Sequence, residues 1–432
     1  MDPILVAIIG FLIMLVLILL RVHVGIAIGL VGLAGCYYMI GSFGFAAVKT
    51  ISWAHTAKYE LAVLPLFILM GMFIANSGIA VELYESASKW LGKLKGGLLV
   101  ATTLSVGLFG ACSGSSVAAA TTFTKIAFPR LLEHKYDPGL AGAAIAAGGT
   151  QAALIPPSAL LVFYGILTEL SIGKLLVAAI IPGILSVATY VIAVVITLKI
   201  WPEKGPGTLH FTLKEKFQSL KGVWAVPVIF VVILGGLYLG IFTPSEAGAI
   251  GALAAFIVAL IKVGFKRAGS LNSLRDAANA TAMIFLILVG AHIFAKFIAL
   301  TRVPNELADF LMGLNLSVLS ILIFILFIHI LLGCVIDAVG MIALSIPVIY
   351  PVIEGLGIDG IWFGIMLVKV AEIGLITPPI GINCFVVKGV AGPALGTAQI
   401  FRGIPPFLIA DLVVLALIII FPQIVMWLPG HM

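Results

Sequence analysis

The 432-residue sequence is poor in charge: only 10% of its residues are Asp, Glu, Lys or Arg, whereas 62% are hydrophobic. Soluble domains average about 25% charged and roughly 45–50% apolar residues. The net charge of +6 comes from Lys and Arg in short loops rather than from one basic patch, which argues against a nucleic-acid partner. Apolar runs such as 175–198, 223–241 and 316–334 approach the roughly 20 residues that cross a lipid bilayer. We therefore predict an all-α polytopic membrane protein.

The sequence also lacks the motifs of metal, nucleotide and hydrolytic chemistry. Its four cysteines lie in or beside apolar segments without CxxC or Cys/His spacing, at Cys36, Cys112, Cys334 and Cys384. This placement argues against a zinc site or a disulfide framework. Neither Gly92-Lys93 nor Gly173-Lys174 is followed by Ser or Thr, so there is no Walker A motif, and no HExxH or GxSxG pattern occurs. We expect that the protein does not hydrolyse ATP and is not an enzyme.

The chain contains an internal repeat at an offset of 222 residues, which is the separation of Asp137 from Asp359. At the same offset, Pro156-Pro157 falls on Pro378-Pro379. Such residues are rare in a hydrophobic sequence, so their recurrence indicates a duplication. We predict a first repeat at 1–200 and a second at 222–432. The lysine-rich segment between them, 201–221, is predicted to be a cytoplasmic linker by the positive-inside rule.

Two equivalent connections in the halves differ in charge. The first, 130–135, carries two basic residues, whereas the second, 352–359, has no Lys or Arg and carries Glu354 and Asp359. Because basic loops stay in the cytoplasm, the two connections are expected on opposite sides of the membrane. The sequence therefore predicts two inverted-topology repeats, the architecture of many secondary transporters.

Four polar interruptions break the hydrophobic pattern, at 112–116 and 148–158 in the first half and at 333–337 and 372–383 in the second. Proline cannot continue a helix without loss of hydrogen bonds, and irregular backbone at membrane depth survives only where it is buried or lines a cavity. We predict re-entrant hairpins at about 97–130 and 316–353, broken helices at about 137–169 and 358–388, and arm helices at 80–95 and 303–314. The arms are interpreted as interfacial connectors, with docking of a partner as the alternative. The hairpin tips are expected to meet near the midplane.

Several ionisable residues interrupt the apolar segments. Asp337 lies at a hairpin tip, and a carboxylate at bilayer depth costs about 2.5–3.5 kcal/mol, which favours a functional role. Its repeat equivalent is Ser115, so both tips offer oxygen. Lys369 and Glu372 lie three residues apart on one predicted helix, where mutual neutralisation and substrate binding both remain open. Asp411 is expected to extend its carboxylate to the membrane surface.

Six segments of the chain resemble the large membrane subunit of TRAP transporters, the tripartite ATP-independent periplasmic family. The resemblance rests on LPLFILMG at 64–71, SGSS at 113–116, IPPS at 155–158, TPSEA at 243–247, GID at 357–359 and TPPIG at 377–381. Their order and spacing cover nearly the whole chain. One departure is Cys112, where a branched aliphatic residue is expected.

The resemblance implies about 10 to 12 transmembrane helices plus two re-entrant hairpins, in the fold of an elevator-type ion transporter. It implies sodium-coupled import of a small organic anion, such as a C4-dicarboxylate, a sugar acid or sialic acid, with two or more Na⁺ ions transported. The implied partners are a periplasmic substrate-binding protein and a separate small four-helix membrane subunit. The implied location is the cytoplasmic (inner) membrane of a bacterium or archaeon.

The resemblance also assigns site residues by position. Implied Na⁺-site residues are Ser113, Ser115, Gly149, Thr150, Gly333, Asp337, Gly374 and Thr377. Implied substrate-site residues are Ser115, Ser116, Gln151, Pro157, Asp337 and Asn383. One alternative is a single-component sodium- or proton-coupled anion carrier with the same hairpins. The other, an intramembrane enzyme, would need a catalytic pair such as two aspartates, but Asp337 is matched by serine.

Overall fold

The computed structural model describes residues 2–205, 208–264, 271–313 and 316–432. All regular secondary structure in these ranges is helical, which confirms the all-α prediction. The first half contains α1 (Pro3–Leu19), α2 (Val24–Ile40), α3 (Phe43–Thr56), α4 (Val63–Asn76), α5 (Ile79–Leu91), α6 (Gly97–Ser113), α7 (Ser116–Glu133), α8 (Pro138–Thr150), α9 (Ala159–Thr168), α10 (Ile172–Ala178) and α11 (Ile180–Ile200). The linker forms α12 (Leu213–Val223). The second half contains α13 (Ala225–Tyr238), α14 (Pro244–Val263), α15 (Leu271–Thr301), α16 (Val303–Gly313), α17 (Val318–Gly333), α18 (Ala338–Gly355), α19 (Gly360–Ile376), α20 (Ile382–Ala391), α21 (Thr397–Gly403), α22 (Pro405–Ile420) and α23 (Gln423–Met426).

Several of these helices have the length and apolar character of membrane spans. Within the described ranges, five helical segments qualify: Tyr59–Asn76, Ile172–Ile200, Pro244–Val263, Asn272–Thr301 and Ala338–Gly355. Two bent pairs, α12 with α13 at 51° and α21 with α22 at 45°, raise the number to seven if each pair is one span. Helices α1 and α2 are apolar and have 17 residues each. At about 1.5 Å per residue they nearly match a hydrocarbon core of about 30 Å. The chain is therefore an integral membrane protein.

Helices recur along the chain at the repeat offset. Helices α7 and α18, Ser116–Glu133 and Ala338–Gly355, correspond at both ends at the offset of 222 residues. The residues before them, Ser115 and Asp337, both cap their helix through side-chain oxygen atoms. Asp137 and Asp359 likewise cap α8 and α19. The paired residues detected in the sequence thus begin equivalent helices, and the Pro-Pro bonds that follow α8 and α19 are both cis.

The outer helices pack reciprocally between the halves. Helix α2 of the first half packs against α15 of the second, and its repeat equivalent α14 packs against α4 of the first. A side chain at Gly32 of α2 would place its Cβ 2.7 Å from the Phe294 backbone nitrogen. Small residues of this kind let membrane helices approach closely.

The inner helices interlock in the same reciprocal way. Helices α6 and α7 pack on α8 of their own half, and α17 and α18 pack on α19. Helix α7 also contacts α20 of the second half, while α18 contacts α9 of the first. The two hairpin segments and the two broken helices therefore form one interlocked unit.

The linker contains an amphipathic helix, α12, that packs along the first arm helix α5. Thr212 begins α12 with a capping box, in which Thr212 and Glu215 bond to each other's backbone nitrogen. Trp90 of α5 donates from its indole to the Lys216 carbonyl oxygen at 3.1 Å. Lys262 of α14 forms an ion pair with Glu82 of α5. The arm predicted at 80–95 is thus held by the linker and by a second-half helix.

Candidate functional site

The Ser-Gly-Ser-Ser segment forms the tip between α6 and α7. Gly114 ends α6 in the left-handed region at φ 66°, which favours glycine. The Ser115 hydroxyl oxygen accepts from the Ala118 nitrogen at 3.2 Å, and the Ser113 hydroxyl donates to the Gly110 carbonyl oxygen at 3.2 Å. A hydroxyl whose hydrogen is donated to the backbone keeps oxygen lone pairs for a cation. Ser113 therefore fits the implied sodium site as well as it fits its helix.

The tip lies directly against the outer helix α4. A Cβ at Gly71 would lie 2.5 Å from the Ser113 carbonyl oxygen, so glycine is required there. The LPLFILMG segment thus ends at a close contact between α4 and the tip. This contact positions the Ser113 backbone.

The first broken helix contributes a second group of implied site residues. Helix α8 ends at Thr150 and α9 begins at Ala159, and Gly149, Thr150, Gln151 and Pro157 are all buried. A Cβ at Gly149 would lie 3.0 Å from the Ser116 carbonyl oxygen and 3.3 Å from Asn383 Nδ2. The hairpin tip, the first break and the second broken helix therefore meet around Gly149.

Three helix N-termini converge at this point. Helix α7 begins at Ser116, α9 at Ala159 and α20 at Ile382. A Cβ at Gly114 would be 3.6 Å from the Ala159 Cβ, and Asn383 Nδ2 donates to the Ala146 carbonyl oxygen at 3.1 Å. Helix N-termini carry partial positive charge and unpaired N–H groups, so their convergence favours an anion.

Two buried amides at this site have polar atoms without partners. In the described part of the chain, neither Oε1 nor Nε2 of Gln151 has a hydrogen-bond partner, and the same holds for Asn383 Oδ1. Both residues are at most 1% exposed. Buried polar groups are nearly always paired, because burial without a partner costs free energy. A polar ligand or an ion at this site would supply the missing partners.

The set of oxygen ligands fits a hard cation. The Thr150 hydroxyl donates to the Ala147 carbonyl oxygen at 2.7 Å, which leaves its lone pairs available. Together with the Ser116 carbonyl and Asn383 Oδ1 it offers oxygen atoms, which suit hard cations. The described residues contain no cluster of His, Cys, Asp and Glu that could hold a transition metal.

The second-half site residues are brought together only in part. Gly333 at the end of α17 lies against Gly374 of α19, where a Cβ would be 2.5 Å from the Gly333 carbonyl carbon. The Thr377 hydroxyl donates to the Ile373 carbonyl oxygen at 2.6 Å and is half-buried. Asp337 is exposed, and its Oδ2 accepts from the Val339 and Gly340 nitrogens at 3.1 Å each. In the structure, Asp337 therefore acts as the N-terminal cap of α18.

Sequence reasoning missed the most buried group of charges. Lys369 Nζ donates to Ser186 Oγ at 2.6 Å, to Glu372 Oε2 at 2.8 Å and to Asp411 Oδ1 at 2.6 Å. The Tyr190 hydroxyl donates to Asp411 Oδ2 at 2.8 Å. Lys369, Glu372, Asp411, Tyr190 and Ser186 are all 0% exposed.

The prediction that Asp411 extends to the membrane surface is therefore wrong. Its carboxylate stays inside because Lys369 and Tyr190 bind both of its oxygen atoms. One feature of the sequence could have predicted this contact: Lys369 and Asp411 carry opposite charges in separate apolar runs, and a buried charge needs a partner. For Lys369 and Glu372, the geometry favours mutual neutralisation within this group.

A cavity of about 480 Å³ lies away from these residues. Lys58, Glu169, Thr243 and His292 are among its lining residues, and none of the implied site residues lines it. Lys58 and Glu169 form an ion pair at 2.8 Å across it, and both are exposed. It is therefore separate from the site around Gly149.

Comparison with known proteins gives consistent matches. The family model described as "Tripartite ATP-independent periplasmic transporter, DctM component" matches residues 11–424. The C4-dicarboxylate TRAP transporter large permease protein DctM of Pseudomonas aeruginosa is 32% identical over 374 residues, covering 86% of each chain. The sialic acid TRAP transporter large permease protein SiaM of Vibrio cholerae is 31% identical over 374 residues, again 86% of each chain. The solved structure of the Alcanivorax borkumensis YdaH transporter aligns with a TM-score of 0.64 over 88% of this chain and 89% of that one, at 14% identity, which is a likeness of fold.

Proposed function

The chain belongs to the DctM family of tripartite ATP-independent periplasmic transporters as a large membrane subunit, and from this premise we propose that it imports a small organic anion by a sodium-coupled elevator mechanism. The family is tripartite, so the proposed partners are a small four-helix membrane subunit and a periplasmic substrate-binding protein. The proposed location is the inner membrane of a bacterium.

The observation that carries this proposal is the set of unpartnered amide atoms of Gln151 and Asn383 beside three helix N-termini. The N-termini of α7, α9 and α20 would stabilise a carboxylate, while Gln151 Nε2 would donate a hydrogen bond to it. Asn383 Oδ1 is an acceptor and would bind a sodium ion instead. The named relatives transport a C4-dicarboxylate and sialic acid, and both are anions at neutral pH. An anionic substrate class fits this electrostatic environment.

Sodium ions would make the burial of that anion possible. One ion is proposed between the 113–116 tip and Gly149-Thr150, and another between 333–337 and Gly374 to Thr377. An anion transferred alone from water to the protein interior loses its hydration, whereas cations bound close to it offset the charge. This dependence would couple anion binding to sodium binding.

The packing supports a division into a moving and a fixed part. The hairpins and broken helices form the interlocked unit, and α2, α4, α14 and α15 form the reciprocal outer pairs. In the proposed elevator the interlocked unit slides against those outer pairs. The Gly71 contact with the first tip would then lie on the sliding surface.

Reconstitution tests the tripartite part of this proposal. Proteoliposomes containing this chain and its small subunit are supplied with radiolabelled C4-dicarboxylate or sialic acid, with and without the binding protein. We expect uptake only when all three components are present. Uptake of equal rate without the binding protein would favour the single-component carrier instead.

A further inference from the structure

A groove of about 600 Å³ lies between α11 and α22, apart from the implied ion and substrate sites. Its walls are two apolar ridges: Ile192, Ile196 and Ile200 of α11 form one, and Ile409 and Val413 of α22 form the other. Residues four positions apart lie on the same face of a helix, so each ridge runs along its helix. These five residues are 44% to 61% exposed, so the ridges face the lipid rather than the protein interior.

Small residues form the floor of the groove. Ala193 of α11, Ala410 of α22 and Gly403 also line it, and each of them is buried or half-buried. Behind this floor the two helices pack against each other, and the ring centroids of Tyr190 and Phe407 lie 5.4 Å apart. A floor of small residues between two ridges of larger ones leaves an apolar channel, which suits an unbranched hydrocarbon chain.

The groove is as long as one leaflet of a bilayer is deep. Along α11 it extends from Ile200 to Thr189, which is about 17 Å at about 1.5 Å per residue. The hydrocarbon core of a bilayer is about 30 Å thick, so one leaflet contributes about 15 Å. The groove therefore begins where α11 joins the linker and ends near the middle of the bilayer.

Two cations lie at the linker end of the groove. Lys204 follows α11, and Arg402 belongs to α21, just before α22 begins. Among the described residues neither side chain forms an ion pair, and no Asp or Glu lines the groove. Lys204 Nζ lies 4.9 Å from the centroid of the Trp201 ring, and tryptophan is enriched at membrane–water interfaces. This end therefore holds two positive charges at the level of the lipid head groups.

The charge and the length of the groove together select its occupant. Lys204 belongs to the linker, which the positive-inside rule assigns to the cytoplasm. The cytoplasmic leaflet contains anionic lipids, and basic pockets between membrane helices on that side bind their head groups. A free phosphate ion would contact the cations but not the ridges, and a transmembrane helix of another protein would cross both leaflets, whereas the groove spans one. An amphiphile with an anionic head group and hydrocarbon chains matches both features.

We propose that this groove binds an anionic phospholipid from the cytoplasmic leaflet. The phosphate group contacts Lys204 and Arg402, and an acyl chain lies along the floor between the two ridges. Charge-assisted hydrogen bonds from the two side chains hold the head group, and the ridges surround the chain with apolar atoms. The inference goes beyond the proposed import function, because it depends neither on the transported anion nor on the coupling ion.

Native mass spectrometry tests the proposal without any substitution. The full-length chain, alone and in complex with its small subunit, is delipidated in detergent and titrated with phosphatidylglycerol or with phosphatidylcholine of identical acyl chains. We expect the first phosphatidylglycerol to bind about tenfold more tightly than the first phosphatidylcholine, because two basic residues attract its net negative charge. Equal affinity for the two lipids would overturn the proposal.

The double variant Lys204→Gln/Arg402→Gln tests the head-group end of the groove. Its affinity for phosphatidylglycerol should fall about tenfold, to that for phosphatidylcholine. Lys93→Gln/Lys95→Gln is the matched control, because it removes the same number of charges from an exposed turn that does not line the groove. The control should keep the preference for the anionic lipid. An undiminished preference in the first variant, or an equal loss in the control, would contradict the proposal.

Ala193→Leu tests the apolar part of the groove. Leucine would fill the floor while both cations remain, so the affinity for phosphatidylglycerol should fall although the charge is unchanged. Val195→Leu enlarges an exposed side chain of the same helix outside the groove and should have no effect. Wild-type affinity in Ala193→Leu would mean that the lipid binds elsewhere. Binding to the chain alone but not to its complex with the small subunit would show that a protein covers the groove, and this result too would overturn the proposal.

Discussion

Asn383, in the second half of the chain, donates from Nδ2 to the carbonyl oxygen of Ala146 in the first half at 3.1 Å. The bond ties the start of α20 to α8, one turn before the first helix breaks. The other side-chain polar atom of Asn383, Oδ1, is buried without a partner in the described chain. One side chain therefore holds the two halves together and faces the proposed binding site.

Replacement of this side chain tests the site. Asn383→Leu, which introduces the residue at the equivalent first-half position, Leu161, leaves the Ala146 carbonyl without its partner. The substitution also removes Oδ1 from the proposed site. Loss of one buried polar contact to a ligand costs about 1–3 kcal/mol, and each ~1.4 kcal/mol corresponds to tenfold in affinity. We expect substrate-dependent uptake to fall about tenfold or more, measured in proteoliposomes.

Asn76→Leu provides a matched control. Asn76 Nδ2 donates to Ser273 Oγ at 2.8 Å. The substitution therefore also removes a partly buried hydrogen bond of a side-chain amide, but not one at Gly149. It should lower the unfolding temperature without weakening apparent substrate affinity. An equal loss of affinity in both variants would mean that Asn383 acts only through stability.

The contact between α4 and the first hairpin tip gives a second prediction. Gly71→Ala would put a methyl group 2.5 Å from the Ser113 carbonyl oxygen, so the tip must move. Overpacking of this kind costs about 1–3 kcal/mol. We expect sodium-dependent uptake to fall while the chain still reaches the membrane. Gly389→Ala is the control, because a Cβ there meets nothing within 4 Å; if both variants transport equally, the contact has no role in positioning the tip.

The buried ion pair predicts non-additive effects on stability. Asp411→Leu alone leaves the Lys369 ammonium with fewer negative partners, and removal of one member of a buried pair costs about 3–5 kcal/mol. The double variant Lys369→Met/Asp411→Leu removes both charges and should be less destabilised than the sum of the single variants. Unfolding in detergent, followed by denaturant titration, measures the difference. Additive losses would show that the two charges do not interact.

The two halves are predicted to cross the membrane in opposite directions, and reporter fusions can test this. A reporter fused after Lys204 should lie in the cytoplasm, and one fused after Gly355, at the end of α18, should lie outside. Compartment-specific enzymes such as a phosphatase active only outside the cytoplasm would measure this. Two reporters in the same compartment would contradict the inverted repeat.

Much of the architecture could be predicted from the sequence because the residues that recur at the 222-residue offset have local roles. Asp137 and Asp359 were conspicuous in the apolar sequence, and each caps the helix that follows it. The Pro-Pro pairs follow α8 and α19, as expected from residues that cannot continue a helix. Capping and helix termination depend on a few neighbouring residues, so a single sequence contains the information.

The buried charges around Lys369 could not be predicted from the sequence in the same way. Ser186, Lys369 and Asp411 lie far apart in the chain, and only tertiary packing brings Ser186 Oγ and Asp411 Oδ1 each to 2.6 Å from Lys369 Nζ. Asp337, which was expected at bilayer depth because of its position at a hairpin tip, is an exposed helix cap in the structure. Burial of a charge depends on its partners, and hydropathy does not identify them.

Sodium-driven uptake is the most direct test of the proposed import mechanism. Proteoliposomes with this chain, its small subunit and the binding protein are loaded with potassium buffer and diluted into sodium buffer containing radiolabelled substrate. Sodium-coupled import predicts that substrate accumulates above its external concentration and that an ionophore which collapses the sodium gradient abolishes this accumulation. Accumulation of equal extent without a sodium gradient would contradict it.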